Sequence, residues 1–288
     1  MVPARDRTSP AGAGARDRLG DLRRILRGLG RTIVAFSGGV DSTFVLRVAF
    51  EELGDGVLAL TTTSASMPAH ELEEARALGA EIGARHRVIA TDEVAIADYA
   101  KNPINRCYFC KDNLYRLCAE HAAREGFTSI VDGVNLDDLG DHRPGLDAAA
   151  EQSVRHPLVE AGLGKEEIRR WSHALGLRTH DKPAAPCLAS RFPYGTAITH
   201  DRLRQVERAE ETLRRLGFRE FRVRFEGDAA RLEIAADEIV RAIDPANRAA
   251  IAQGVRAAGF RRVVLDLDGF RSGSLNPQSR QDGGGRRA

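Results

Sequence analysis

The chain has 288 residues, enough for one large core or two moderate ones. A hydrophobic share of 42% and a charged share of 29% describe an ordinary globular protein, and a formal net charge of +2 argues against a dedicated nucleic-acid face. No apolar run reaches membrane-spanning length, and the N-terminal MVPARDRTSPAGAGARDR holds no apolar secretory core, so the expectation is a cytoplasmic protein that binds neither membrane nor nucleic acid.

In chain order, residues 1–18 read as a disordered lead-in. Thr32–Phe36 follows as a short β-branched strand, and Ser42–Leu53 as a helix that is apolar almost all round. Strand signals recur at Gly56–Thr62, His86–Ala90 and Thr128–Asp132, with helix signals at Pro68–Ile82 and Cys110–Glu125 between them. Such alternation predicts right-handed crossovers and a parallel, Rossmann-like α/β sheet over residues 19–195. A further helix, Lys165–Leu175, follows the Gly-Leu-Gly turn at Gly162–Gly164. Past a boundary between Ser190 and Thr199 the pattern changes. A charged amphipathic helix (His200–Leu216), a hairpin (Phe221–Phe225 and Arg231–Ala235), a helix (Pro245–Ala258) and a strand (Arg261–Asp266) predict a small α+β domain over 196–270 with an antiparallel sheet. Residues 271–288 read as a disordered tail.

The chemistry concentrates in three places. Ser37-Gly38-Gly39-Val40-Asp41-Ser42 lies between the first strand and its helix, where glycines let the backbone approach a ligand and the helix N-terminus attracts anions. Neither the lysine nor the spacing of the G-x-x-x-x-G-K-[ST] loop is present. The hexapeptide resembles the pyrophosphate loop of the N-type ATP pyrophosphatases, which cleave ATP between its α- and β-phosphates. Second, Cys107 and Cys110 stand three apart between the irregular Lys101–Arg106 loop and a helix, and Cys187 lies in another loop that is not apolar enough to suggest core burial. These three thiols are open to a zinc site, a redox pair or an iron–sulfur cluster, which can be held by three cysteines with one iron left open. Cys118, by its spacing with Leu114, Leu117 and Ala122, reads as packing, and so does Trp171. Third, Arg222 and Arg224 point to one face of a strand and suit a phosphate, the alternative being a solvated face with Arg222 paired to Glu233 across the hairpin.

Five motifs in order, SGGVDS, RCYFCK, GVNLDD, CLASRFPYG and FRVRF, resemble the LarE family over roughly residues 20–268. The resemblance implies an ATP-dependent sulfur transferase of nickel-pincer nucleotide cofactor synthesis. Such an enzyme adenylates a carboxylate of pyridinium-3,5-biscarboxylic acid mononucleotide and replaces its oxygen with sulfur. It implies ATP on Ser37, Gly38, Gly39, Val40, Asp41 and Ser42, and Mg²⁺ on Asp41. It further implies a [4Fe-4S] cluster on Cys107, Cys110 and Cys187, with Cys187 and Asp41 in catalysis. Ser190, Arg191, Arg222, Arg224, Asn135, Asp137 and Asp138 become candidates for substrate contact. Glu210 becomes a candidate helper at the sulfur-transfer site, although a solvated helix face is the better account of it. Some members instead surrender the sulfur of a single cysteine at the Cys187 position. Family precedent also implies a homo-oligomer, a ring of dimers, with a sulfur donor still to be named. The rival readings are a tRNA thiolase of the same superfamily and a nucleotide sensor without turnover.

Overall fold

Thr32–Ala35 buries all four of its side chains, which only a strand covered on both faces allows. In the computed structural model, which describes residues 17–140 and 144–271, this segment (β1) lies inside a four-stranded sheet. The other strands are β2 (Val57–Thr63), β3 (Arg85–Ala90) and β4 (Ser129–Val131), in the order β3-β2-β1-β4 and all parallel. The helices of this part are α1 (Arg18–Gly28), α2 (Val40–Leu53), α3 (Ala69–Ile82), α4 (Ala97–Ala100), α5 (Arg106–Glu125), α6 (Pro144–Glu151), α7 (Pro157–Glu160) and α8 (Lys165–Ala174). One apolar cluster joins α1, α2, α3 and α8 to one face of the sheet, and a second joins α5 and α6 to the other. Cys118 is fully buried in the latter, and Trp171 packs against the former.

The expected parallel sheet is present with all four strands where the sequence puts them. The tails fall almost entirely outside the described residues. Asp17 caps α1, whose Leu22 and Leu26 are buried in the first cluster.

After the sheet come α9 (His200–Arg215), β5 (Phe221–Glu226), β6 (Ala229–Ile234), α10 (Ile239–Ile243), α11 (Pro245–Ala257) and β7 (Arg262–Leu265). The hairpin turns on Gly227, which takes φ +66°. The second sheet is mixed rather than antiparallel. β5 and β6 run antiparallel, but β7 lies parallel to β6, because α10 and α11 carry the chain back to the end of the sheet from which β6 departs. Its apolar cluster includes Leu188, Ala189 and Phe192, so the Cys187 loop is packed onto this sheet. No helix among the described residues is long and apolar enough to cross a membrane.

Candidate functional site

The loop Ser37–Ser42 occupies the carboxyl end of β1. α2 starts on Gly39 with no side-chain cap, which leaves its first N–H groups available. Gly38 has φ +73°, and a Cβ there would stand 3.0 Å from the Cβ of Ala75 on α3, so the position needs glycine on both counts. The hydroxyls of Ser37 and Ser42 lie 3.0 Å apart and close the loop.

Gly133–Asp138 lies beside it. A Cβ on Gly133 would come within 2.7 Å of the Ser42 nitrogen, so the two backbones touch. Asn135 and Asp138 form a reciprocal cap: the Asp137 N–H donates to Asn135 Oδ1 at 3.0 Å and the Asn135 N–H to Asp138 Oδ2 at 3.2 Å. The Asp137 carboxylate accepts from the Lys165 N–H at the start of α8. Asp138 is the residue that meets the loop electrostatically. Burial and the charge of Asp138 push the Asp41 carboxyl up to about 6, against Lys165 and Arg169 on α8. Asp41 Oδ1 is buried without a hydrogen-bond partner.

Asp132, at the end of β4, accepts from the Tyr115 hydroxyl at 2.6 Å, the His156 ring at 2.7 Å and the Val134 N–H at 3.1 Å. Against its burial, His156 and Lys111 hold the Asp132 carboxyl below the usual range, and Asp132 in turn raises His156. Sequence reasoning missed this network, because Tyr115, Asp132 and His156 come from three separate segments.

Cys107 and Cys110 both lie on α5, which starts at Arg106, four residues earlier than the expected Cys110. They are therefore i and i+3 on one face, not the end of a loop. The Cys187 thiol belongs to the same group. Burial first and the neighbouring Cys187 second push Cys110 up to about 12. Cys107 is exposed, while Cys110 and Cys187 pack against the second sheet's apolar cluster, which makes their surroundings more apolar than the loop sequences suggest.

Arg106, unforeseen from sequence, brings the thiols together. Its guanidinium is buried and donates to Asn102 Oδ1 at 2.5 Å and to the Ala189 carbonyl at 3.0 Å. Asn102 holds φ +55° and donates to the Pro193 carbonyl at 2.8 Å, a second tie between the two segments. Among the described residues, no group of three or more His, Cys, Asp or Glu side chains is gathered so as to hold a metal ion.

The arginines converge under the Cys187 loop. Arg191 is 3% exposed and pairs with Glu210 through two bonds of 2.8 and 2.9 Å, while donating to the carbonyls of Pro186 at 2.7 Å and Cys187 at 3.1 Å. Glu210 also accepts from the Val223 N–H at 3.1 Å and is 2% exposed, so the solvated helix face expected for it is wrong. α9 is amphipathic, and Glu210 lies on its buried side. Arg224, not Arg222, pairs with Glu233, at 2.7 Å, and donates to the Ser190 carbonyl at 2.9 Å. Register puts Arg222 opposite Glu233, but the pair runs diagonally. Arg222 donates to the Ala184 carbonyl at 3.1 Å, lies over the Phe270 ring at 4.9 Å, and makes no ion pair among the described residues. Burial first and Arg191 second push its pKa down to about 10.

A last link joins the thiol loop to the glycine loop: the Lys182 ammonium donates to the Gly38 carbonyl at 3.1 Å and to Glu71 at 2.7 Å.

No family model matches the chain. It is 45% identical to an uncharacterized protein of Synechocystis sp. over 259 residues, 90% of this chain and 97% of that one. It is 28% identical to an uncharacterized protein of Methanocaldococcus jannaschii over 242 residues, 84% and 91% of the two chains. It is also 39% identical over 255 residues to the pyridinium-3,5-bisthiocarboxylic acid mononucleotide synthase of Lactiplantibacillus plantarum, covering 87% of this chain and 91% of the relative. With that identity extending over most of both chains, the chain belongs to the LarE family.

Proposed function

We propose that this chain is an enzyme that transfers sulfur in making a pyridinium thiocarboxylate mononucleotide, using ATP to activate each carboxylate. The name of the L. plantarum relative supports the product class. The observation that carries the ATP reading is the joint edge of Ser37–Ser42 and Gly133–Asp138, where an uncapped helix N-terminus lies with two carboxylates in each other's field, the half-buried Asp41 and the buried Asp138.

A carboxylate is a poor electrophile because its leaving group would be oxide. Attack of its oxygen on the α-phosphorus, with departure of pyrophosphate, gives an acyl-adenylate whose leaving group is AMP. The free N–H groups of α2 would hold the phosphate chain. Asp41 and Asp138 fit Mg²⁺: Asp41 Oδ1 lacks a partner, and the mutual repulsion of the two groups would be relieved by a cation. A magnesium ion completed by phosphate and water needs only one or two protein carboxylates, so the absence of a larger ligand group among the described residues is no obstacle. When bound, it would neutralise phosphate charge.

Arg222 is the candidate for the phosphate of the mononucleotide. It is a half-buried guanidinium that makes no ion pair among the described residues, beside two others whose charges are spent on Glu210 and Glu233. In this reading Arg191, Glu210 and Arg224 hold the loop of Cys187 and Ser190 in place.

Cys107, Cys110 and Cys187 fit a multi-iron cage better than a single ion. Cys107 and Cys110 both feel the field of Cys187, and three thiols are one short of the four ligands tetrahedral zinc takes but enough for a cluster with one open iron. Thiols raised by burial also disfavour a redox pair, which works through depressed pKa values. A [4Fe-4S] cluster with one open iron would present sulfide as a soft nucleophile to the activated acyl carbon. The protein's part in this reading is to hold three thiols at fixed separation, through Arg106 and Arg191.

Anaerobic purification with iron and acid-labile sulfide counting, alongside pyrophosphate release in the presence of the dicarboxylate mononucleotide, tests both halves. The expected result is about four irons per chain and substrate-dependent pyrophosphate. Loss of one sulfur from Cys187 in an iron-free protein would replace the cluster with sacrificial transfer, and absence of pyrophosphate would overturn adenylation.

A further inference from the structure

Lys182 comes from the segment that leads to Cys187, yet its ammonium lies against the glycine loop. It donates to the Gly38 carbonyl at 3.1 Å and to Glu71 on α3 at 2.7 Å, and its side chain is largely buried. The backbone around it is fixed: Arg169 donates to the carbonyls of His180 at 2.8 Å and Lys182 at 2.9 Å. Lys182 can therefore change partners by rotating its own four-carbon stem, without moving the loop. Gly38 is the residue whose left-handed backbone brings its neighbours' N–H groups toward a phosphate. A cation on its carbonyl stands at the rim of that anion site from the start.

We propose that Lys182 is a phosphate-chain ligand, held in reserve by Glu71 and Gly38 and transferred to the β- and γ-phosphates of ATP when the nucleotide binds. The proposal rests on the ATP reading above and deepens it. The chain lacks the lysine of the G-x-x-x-x-G-K-[ST] loop, and Lys182 supplies a compact cation at an equivalent place from a remote segment. In the adenylation step the substrate oxygen bonds to the α-phosphorus, the bond to the bridging oxygen breaks, and pyrophosphate leaves with that electron pair. The leaving group gains a negative charge, which the ammonium offsets without transferring a proton. Glu71 keeps the lysine oriented before ATP arrives, since against its burial His70 and Lys182 hold the Glu71 carboxyl well below its usual range, at about 2. Lys182 stands five positions before Cys187, so phosphate occupancy is felt on the strand of chain that carries the thiol.

The test is equilibrium binding of ATP with Mg²⁺, of AMP and of pyrophosphate to the full chain, wild type against Lys182→Met, Lys182→Arg and Glu71→Gln. Lys182→Met is expected to weaken ATP and pyrophosphate about 10-fold or more and to leave AMP within about twofold. Lys182→Arg should fall between, and Glu71→Gln should leave ATP binding unchanged or tighter. Equal loss of ATP and AMP in Lys182→Met, no loss of ATP, or weakening of ATP by Glu71→Gln would each overturn the proposal. So would a wild-type chain that binds no ATP. A wild type that binds ATP but releases no pyrophosphate would remove adenylation alone, with the lysine still judged by binding. If Lys182→Met does not fold, the Glu71→Gln and Lys182→Arg results decide.

Discussion

The Arg106 guanidinium donates to the Ala189 carbonyl at 3.0 Å, across 83 positions of sequence, and so fastens the helix of Cys107 and Cys110 to the loop of Cys187. Arg106→Met removes both bonds and strands the Asn102 side-chain oxygen and the Ala189 carbonyl in a buried place. The expected cost is about 2–4 kcal/mol, measured by urea unfolding. Anaerobic iron reconstitution should fall well below that of the wild type while ATP binding persists. Full iron loading in the variant would show that the thiols converge without this tie.

Asp41 gives a pH dependence of unusual sign for a carboxylate. Its folded pKa of about 6 lies above the ordinary 3.8, so protonation favours the fold: stability rises as pH falls from about 6 toward 3.8, then levels off. Asp41→Asn should therefore stabilise the ligand-free protein at pH 7 by about 1–2 kcal/mol and abolish Mg²⁺-dependent ATP binding. Wild-type ATP binding should weaken as pH drops below about 6, because protons compete with the cation. Thermal unfolding and titration calorimetry across pH 4.5–8 check both slopes.

The proposed role of Arg222 as an anion ligand draws on its half-buried place beside the cations Arg191 and Arg224. Inorganic phosphate at millimolar concentration should raise the thermal midpoint of the wild type by a few degrees. Arg222→Ala should abolish that rise and increase the KM for the mononucleotide about 10- to 100-fold, with kcat changed less. An undiminished phosphate response in the variant would place the anion elsewhere.

The His156–Asp132 pair stabilises over a bounded range. His156 has its folded pKa raised above 6.5, so its contribution is complete below 6.5 and is lost as pH rises through the folded value. Asp132 has its pKa lowered below 3.8, so its share is present above 3.8 and is lost in acid. Replacing His156 with Gln should flatten the stability profile above pH 6.5 and lower stability at pH 6 by about 1–2 kcal/mol, as followed by chemical denaturation.

The parallel sheet was legible because its strands are short β-branched runs bounded by glycine or proline and its helices carry an apolar face. Helix α1 escaped notice although Leu22, Leu26 and Leu29 repeat at helical spacing, since arginines crowd between them. The direction of β7 was not legible, because strand polarity in the small sheet depends on the path of α10 and α11, which no local pattern records. Glu210 was misread for a related reason. One buried carboxylate on a helix as charged as α9 is visible only when its partner, Arg191, is known. Lys182 and Arg106 act on backbone carbonyls 144 and 83 positions away, and a carbonyl leaves no mark in a sequence. The motif residues were found where they carry glycine, cysteine or paired arginine, and missed where they hold other residues in place.

Gly133 rests directly on the first turn of α2, with room for a hydrogen and nothing larger. The distance between these two segments is therefore set by van der Waals radii of main-chain atoms, not by any side chain that could be exchanged. Mutation can retune the chemistry around this seam, but its width is a constant of the architecture. A methyl group there would act as a wedge, spreading β1 from β4 at the point where both strands end.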